Sequence, residues 1–121
     1  MKEYAREELV EALQVISSTI SNCEKMQPKF AEGTSQHTLL KNRLKALYIS
    51  RALITDEVVT DTYTKEELIK ALPPVSSIIS KCSKAQLKFA EGTAHYTNLN
   101  NIIKAMCISK SIIIDEISKK G

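Results

Sequence analysis

The sequence predicts an all-α protein, an antiparallel up-down-up-down four-helix bundle built from two tandem homologous αα-hairpins. Three observations carry this. The stretch Lys29-Phe30-Ala31-Glu32-Gly33-Thr34 returns unchanged as Lys88-Phe89-Ala90-Glu91-Gly92-Thr93, and around it residues 4–58 align with 63–117 without a gap, 29 of the 55 positions being identical. Apolar residues recur at alternating spacings of four and three, the period of a helix seam. Gly and Pro are scarce, at three each, which leaves little material for the many turns of a β protein. With 121 residues the chain has the length of one domain, 1–121, with repeats 4–58 and 63–117 and a linker at 59–62. Aromatic residues make up 5% and Trp is absent, so the core must be aliphatic.

The first helix is expected from about Tyr4 to Ala31, with the seam Leu9, Leu13, Ile16, Ile20, Cys23, Gln27 and Phe30. The third repeats it as Leu68, Leu72, Val75, Ile79, Cys82, Gln86 and Phe89. Gly33 reads as a left-handed C-cap, because glycine reaches positive φ without a Cβ penalty. Thr34 reads as the N-cap of the second helix, with Thr38 as the alternative start. The second helix is expected to reach about Val58 along Leu40, Leu44, Leu47, Ile54 and Val58, and the fourth follows Leu99, Ile103, Met106, Ile113 and Ile117. Paired seam residues such as Leu13 with Ile54, Ile20 with Leu47 and Cys23 with Leu44 keep a constant sum of residue numbers. That is the signature of two equal-pitch helices folded back on one another. Thr64 with Glu67 three residues on resembles a capping box. Pro73-Pro74 replaces Gln14-Val15 and predicts a kink or break near Leu72, since an interior proline removes a backbone donor and crowds the preceding turn.

Composition excludes some classes. The net charge of +3 is mild for a dedicated nucleic-acid binder. The longest apolar run, Ile112-Ile113-Ile114, is far short of a membrane span, so no membrane role is expected. The charged opening Lys2-Glu3-Tyr4-Ala5-Arg6-Glu7-Glu8 is unlike a signal peptide. Three cysteines without a Cys-x-x-Cys pair point to a reduced, cytoplasmic protein.

Several groups of residues invite a sharper reading. Cys23 and Cys82 share a seam layer, but helices one and three lie on a diagonal of the bundle, too far apart for a disulfide, and two thiols make no zinc site. Gln27 and Gln86 are polar seam positions that either bond across the bundle or meet water near the turns. His37 and His95 do not align with each other and carry no Glu-x-x-His spacing, so no metal is expected. Arg51 and Lys110 interrupt the second seam beside Ser50 and Ser109. Their stems are expected to pack while the cations reach water and the serines turn inward, the alternative being an anion in a central cavity.

Lys41, Arg43, Lys45 and Arg51 make the second helix basic, which reads as a solvated face or, in the sharper version, a phosphate-contacting one. Ser17, Ser18 and Ser21, with Ser76, Ser77 and Ser80, have no base to activate them and read as small residues that let helices approach. Val10, Ile49, Leu53, Ile69, Ile108 and Ile112 lie off the main seams as a residual apolar stripe.

The expectation is therefore a small non-catalytic cytoplasmic protein without a cofactor, acting through an unknown protein partner or as a homodimer. Weak nucleic-acid binding by the basic second helix is the alternative. An enzyme ranks third, for want of a catalytic constellation.

Overall fold

The computed structural model describes residues 4–55 and 63–120. They form four helices, α1 Arg6–Met26, α2 Ser35–Thr55, α3 Lys65–Gln86 and α4 Ala94–Lys119, with no strand among the described residues. The linker at 59–62 and the seam position Val58 lie outside them.

Local chemistry sets the helix ends. At the start of α3 the Thr64 hydroxyl accepts from the Glu67 N–H at 3.1 Å, and the Glu67 carboxylate accepts from the Thr64 N–H at 3.0 Å. At the start of α1 only half of that box exists: Glu8 accepts from the Ala5 N–H at 3.1 Å, and Ala5 has no side-chain oxygen to answer with. Thr34 caps α2 by accepting from the His37 N–H at 3.3 Å, and Thr93 caps α4 by accepting from the Tyr96 N–H at 3.2 Å. Thr38 and Thr97 thus lie inside helices, and the second of the two candidate starts is not used.

The turns differ from expectation. α1 stops at Met26 and not near Ala31, giving way to a 3-10 turn over Gln27–Lys29 that contains Pro28. Gly33 has the expected positive φ of 87°, but it is not a helix cap. It sits third in a reverse turn closed by the Thr34 N–H on the Ala31 carbonyl at 3.2 Å, and Gly92 at φ 89° does the same under the Thr93 N–H to Ala90 carbonyl bond at 3.3 Å. The positive φ at the third turn residue is what requires glycine.

α3 runs through Pro73 and Pro74 without a break. The carbonyls that lose their donors belong to Ile69 and Lys70, both exposed residues, so water can replace the missing amides.

Each helix packs on two neighbours around a square: α1 on α2 and α4, α3 on α2 and α4. The diagonals are unequal. The backbones of α2 and α4 also approach each other, whereas among the described residues those of α1 and α3 stay further apart. The reason lies in the residues α2 and α4 bury. Ala46 and Ser50 on α2, and Ala105 and Ser109 on α4, are all at most 1% exposed. Side chains this small let two backbones approach. Each serine satisfies its buried hydroxyl internally, Ser50 donating to the Ala46 carbonyl at 2.9 Å and Ser109 to the Ala105 carbonyl at 3.0 Å. The serines of the first and third helices do not have this role: Ser17, Ser18, Ser21 and Ser80 are exposed, and Ser76 and Ser77 half-buried.

The core around that diagonal is aliphatic, with Ile16, Leu47, Ile49, Leu68, Val75, Met106 and Ile113 fully buried. Burying a side chain of this size contributes about 1.5–3 kcal/mol. The seams are wider than a heptad stripe: Ile49 and Ile108, expected on a leftover stripe, are core residues, while Leu53 and Ile112 are half-buried. In α3 it is Ile78 and not Ile79 that is fully sequestered. Only Val10, 48% exposed, and Ile69, 46% exposed, remain of the stripe as outward-facing apolar residues.

Candidate interaction surface

The antiparallel α1–α4 and α2–α3 pairs each leave a long groove. The α1–α4 groove consists of two adjoining clefts of about 300 and about 290 Å³ that share Val15 and Asn101. Its polar lining includes Glu8, Glu11, Gln14, Asn98 and Lys104. The α2–α3 groove, of about 410 Å³, is lined by Leu39, Asn42, Lys70, Pro73, Pro74 and Ser77. Leu39 is 43% exposed there, a large apolar side chain left at the rim.

These linings match position by position at the repeat offset. Asn42 and Ser77 of one groove correspond to Asn101 and Ser18 of the other and are the same residue types. The rest have changed: Lys70 for Glu11, Pro73-Pro74 for Gln14-Val15, and Leu39 for Asn98. One groove is polar and carries carboxylates, whereas the other has apolar walls and carries an ammonium.

Arg43 is the residue whose placement differs most from expectation. It is not on a solvated basic face but buried, at 9% exposure, between α2 and α3. Its Nη2 donates to the Ser77 Oγ at 3.4 Å, and its Nε has no hydrogen-bond partner. Neither ion pair found among the described residues includes it. Lys45 is exposed and reaches Glu67 at 3.9 Å, and Lys41 is exposed.

The other singled-out residues fall as follows. Arg51 is exposed with its guanidinium 5.4 Å from the Tyr48 ring centre, and Lys110 is exposed; Ser50 and Ser109 point into the core beside them. The structure thus brings no cations together in a central cavity. Tyr48 donates to Glu24 at 2.6 Å, tying α1 to α2, and that hydrogen bond to a carboxylate holds the phenol above its usual pKa.

Gln27 and Gln86 do not face each other. Gln86 donates within its own hairpin, to the Tyr96 carbonyl and the Asn100 side chain, both at 3.4 Å, and Gln27 lies half-buried in the 3-10 turn. Cys23 and Cys82 are buried free thiols on the two helices of the more open diagonal, and burial raises the pKa of both; Cys107 is exposed. His95 stacks on Phe89 with ring centres 4.8 Å apart. Among the described residues no three His, Cys, Asp or Glu side chains gather in a way that could hold a metal ion. Among the described residues no helix is long and apolar enough to cross a membrane.

Reading the sequence for identities between its halves passed over the α2–α3 groove. The signal was in the differences: Leu39, Lys70, Pro73 and Pro74 are positions where the two halves disagree, and they line one groove together. Comparison of the chain with protein-family models, with curated proteins and with solved structures finds no match in any of the three.

Proposed function

We propose that this chain is a small non-catalytic interaction protein, a bundle of two homologous αα-hairpins whose surface binds another polypeptide. The observation that carries this reading is the α2–α3 groove, where Leu39, Pro73 and Pro74 form an apolar wall open to solvent. A groove between two helices with apolar walls and a few polar groups is a ready seat for a helix. Weak nucleic-acid binding by α2 asks for a continuous exposed basic face, and with Arg43 buried that face loses support.

Native mass spectrometry of the protein purified gently from its own host tests the reading. The expected result is a complex heavier than the 13.5 kDa chain by the mass of a protein, either a partner or a further copy. A bare chain, together with nucleic-acid binding that falls steeply with salt, would replace the proposal with the alternative.

A further inference from the structure

Arg43 is a buried cation without a counter-ion. Taking a guanidinium out of water is costly unless a negative charge and full hydrogen bonding compensate, and here the Nε is unpartnered and the single side-chain acceptor is the Ser77 hydroxyl. The Ser77 oxygen accepts from Arg43, so its own hydrogen is free to donate elsewhere. Ser77 lines the α2–α3 groove together with Lys70 and Asn42. The groove therefore presents an ammonium, a hydroxyl backed by a guanidinium, and an amide, all set in apolar walls. Its lining contains no carboxylate. What it fits is a ridge that carries a carboxylate beside an apolar side chain.

The molecule carries such a ridge. Glu7, Val10, Glu11 and Gln14 lie on one exposed face of α1, since side chains three and four apart share a face, and Glu11 and Gln14 also form the rim of the α1–α4 groove that Lys104 lines. Val10 is 48% exposed, with the two carboxylates beside it. Charge matches: the ridge carries Glu7 and Glu11, and the groove carries Lys70.

We infer that the α2–α3 groove receives the Glu7–Gln14 face of α1 from a second copy of this chain, with Glu11 meeting Lys70 and Ser77, and Val10 meeting Leu39 and Pro73. This rests on the interaction reading above and names the partner for it. The contact is heterologous, because ridge and groove are different surfaces. Each copy then offers one free ridge and one free groove, and association continues past the dimer unless the geometry closes a ring.

Sedimentation velocity over a range of protein concentrations tests this. For the unchanged chain the mean mass is expected to rise above 13.5 kDa with concentration, and to rise less as salt goes from about 0.1 M to about 1 M, where the Debye length shrinks from about 10 to about 3 Å. Lys70→Glu and Glu11→Lys each place like charges across the contact and should weaken association by about tenfold or more. Both positions are exposed, and circular dichroism checks that both variants stay folded.

In an equimolar mixture the two variants should alternate, because the ridge of K70E in the groove of E11K and the ridge of E11K in the groove of K70E both bring opposite charges together, and association past the dimer should return. A chain carrying both substitutions restores opposite charges at every contact and should recover the full series. A chain that stays at 13.5 kDa up to about 1 mM, the weak end of the affinity scale, overturns the inference. So does association that ignores either substitution. If native mass spectrometry finds a different protein bound while the chain alone stays monomeric, the interaction reading stands and this one falls.

Discussion

The first hairpin, α1 and α2, and the second, α3 and α4, share their turns and the small buried residues of α2 and α4, and differ in the grooves they line. Gly33 and Gly92 take the same positive φ in the same turn, Thr34 and Thr93 cap the helix that follows, and Ala46-x-x-x-Ser50 and Ala105-x-x-x-Ser109 are buried on the two helices of the closed diagonal. The differences gather along α2–α3, where the buried Arg43 and the groove residues Leu39, Lys70 and the two prolines stand against Ile102, Asn98, Glu11 and Gln14-Val15. Residues that share the inner diagonal constrain one another, because the approach of α2 to α4 depends on all four small side chains at once. Residues in the grooves touch solvent and are free of that constraint, so a groove can acquire a charge or a wall that its counterpart lacks.

The sharpest way to break the inner half of this comparison is to empty it from each side in turn. Leu47 and Met106 occupy corresponding positions and both are 0% exposed. Leu47→Ala and Met106→Ala should each cost about 2–5 kcal/mol, the range for large-to-small changes in a packed core. Urea unfolding measures it. The comparison predicts two similar costs, and one cost several-fold below the other would mean that the hairpins are not equivalent partners in the core.

How far the sequence speaks follows the same division. The helices, the place of both turns and the positive φ of their glycines, the caps at Thr34 and Thr64, the inward serines and the placing of Cys23 and Cys82 on a diagonal are local or periodic features, and they were legible. Three things were not. The burial of Ile49 and Ile108 was missed because a heptad seam counts a narrow stripe, whereas a helix with neighbours on two sides and across a closed diagonal buries a broader face. The early end of α1 is decided by a 3-10 turn and a reverse turn whose geometry the apolar spacing does not register. Arg43 was misplaced because charge predicts exposure, and only the packing of α2 on α3 shows that its neighbours cover it. The α2–α3 groove depends on the same tertiary packing, which no single helix announces.

Arg43 gives the next test, and it bears on the outward half of the comparison. The second hairpin has Ile102 at this position, half-buried. Arg43→Ile removes a buried charge that lacks a counter-ion and puts in a residue the corresponding site already accommodates. It should stabilise the isolated chain by about 1–3 kcal/mol, the scale on which apolar replacements of buried charges act. The same change should weaken self-association, since Ser77 loses the cation behind it. Thermal unfolding and sedimentation on one sample read both effects. A variant less stable than the parent would show that the surroundings of Arg43 compensate its charge better than its contacts indicate.

The smallest effect expected is at the helix starts, where the hairpins differ by one hydroxyl. α3 has the full box of Thr64 and Glu67, and α1 has Glu8 reaching back to Ala5 with nothing returned. Ala5→Thr should therefore complete the box and add about 0.5–1 kcal/mol, and Thr64→Ala should remove about as much. The two starts also predict different responses to acid. The Thr64 backbone N–H is the main cause that holds the Glu67 pKa below the usual glutamate value; burial opposes it, and the Thr64 hydroxyl and Lys45 add to the lowering. A carboxyl whose pKa is depressed in the folded state contributes stability above its unfolded pKa and loses it as pH falls through the lower folded value. Glu67→Gln should thus flatten part of the loss of stability on the acid side of the ordinary glutamate range. Unfolding midpoints measured across that window give the outcome, and an unchanged acid slope would mean that the box orders the first turn of α3 through its neutral hydrogen bonds alone.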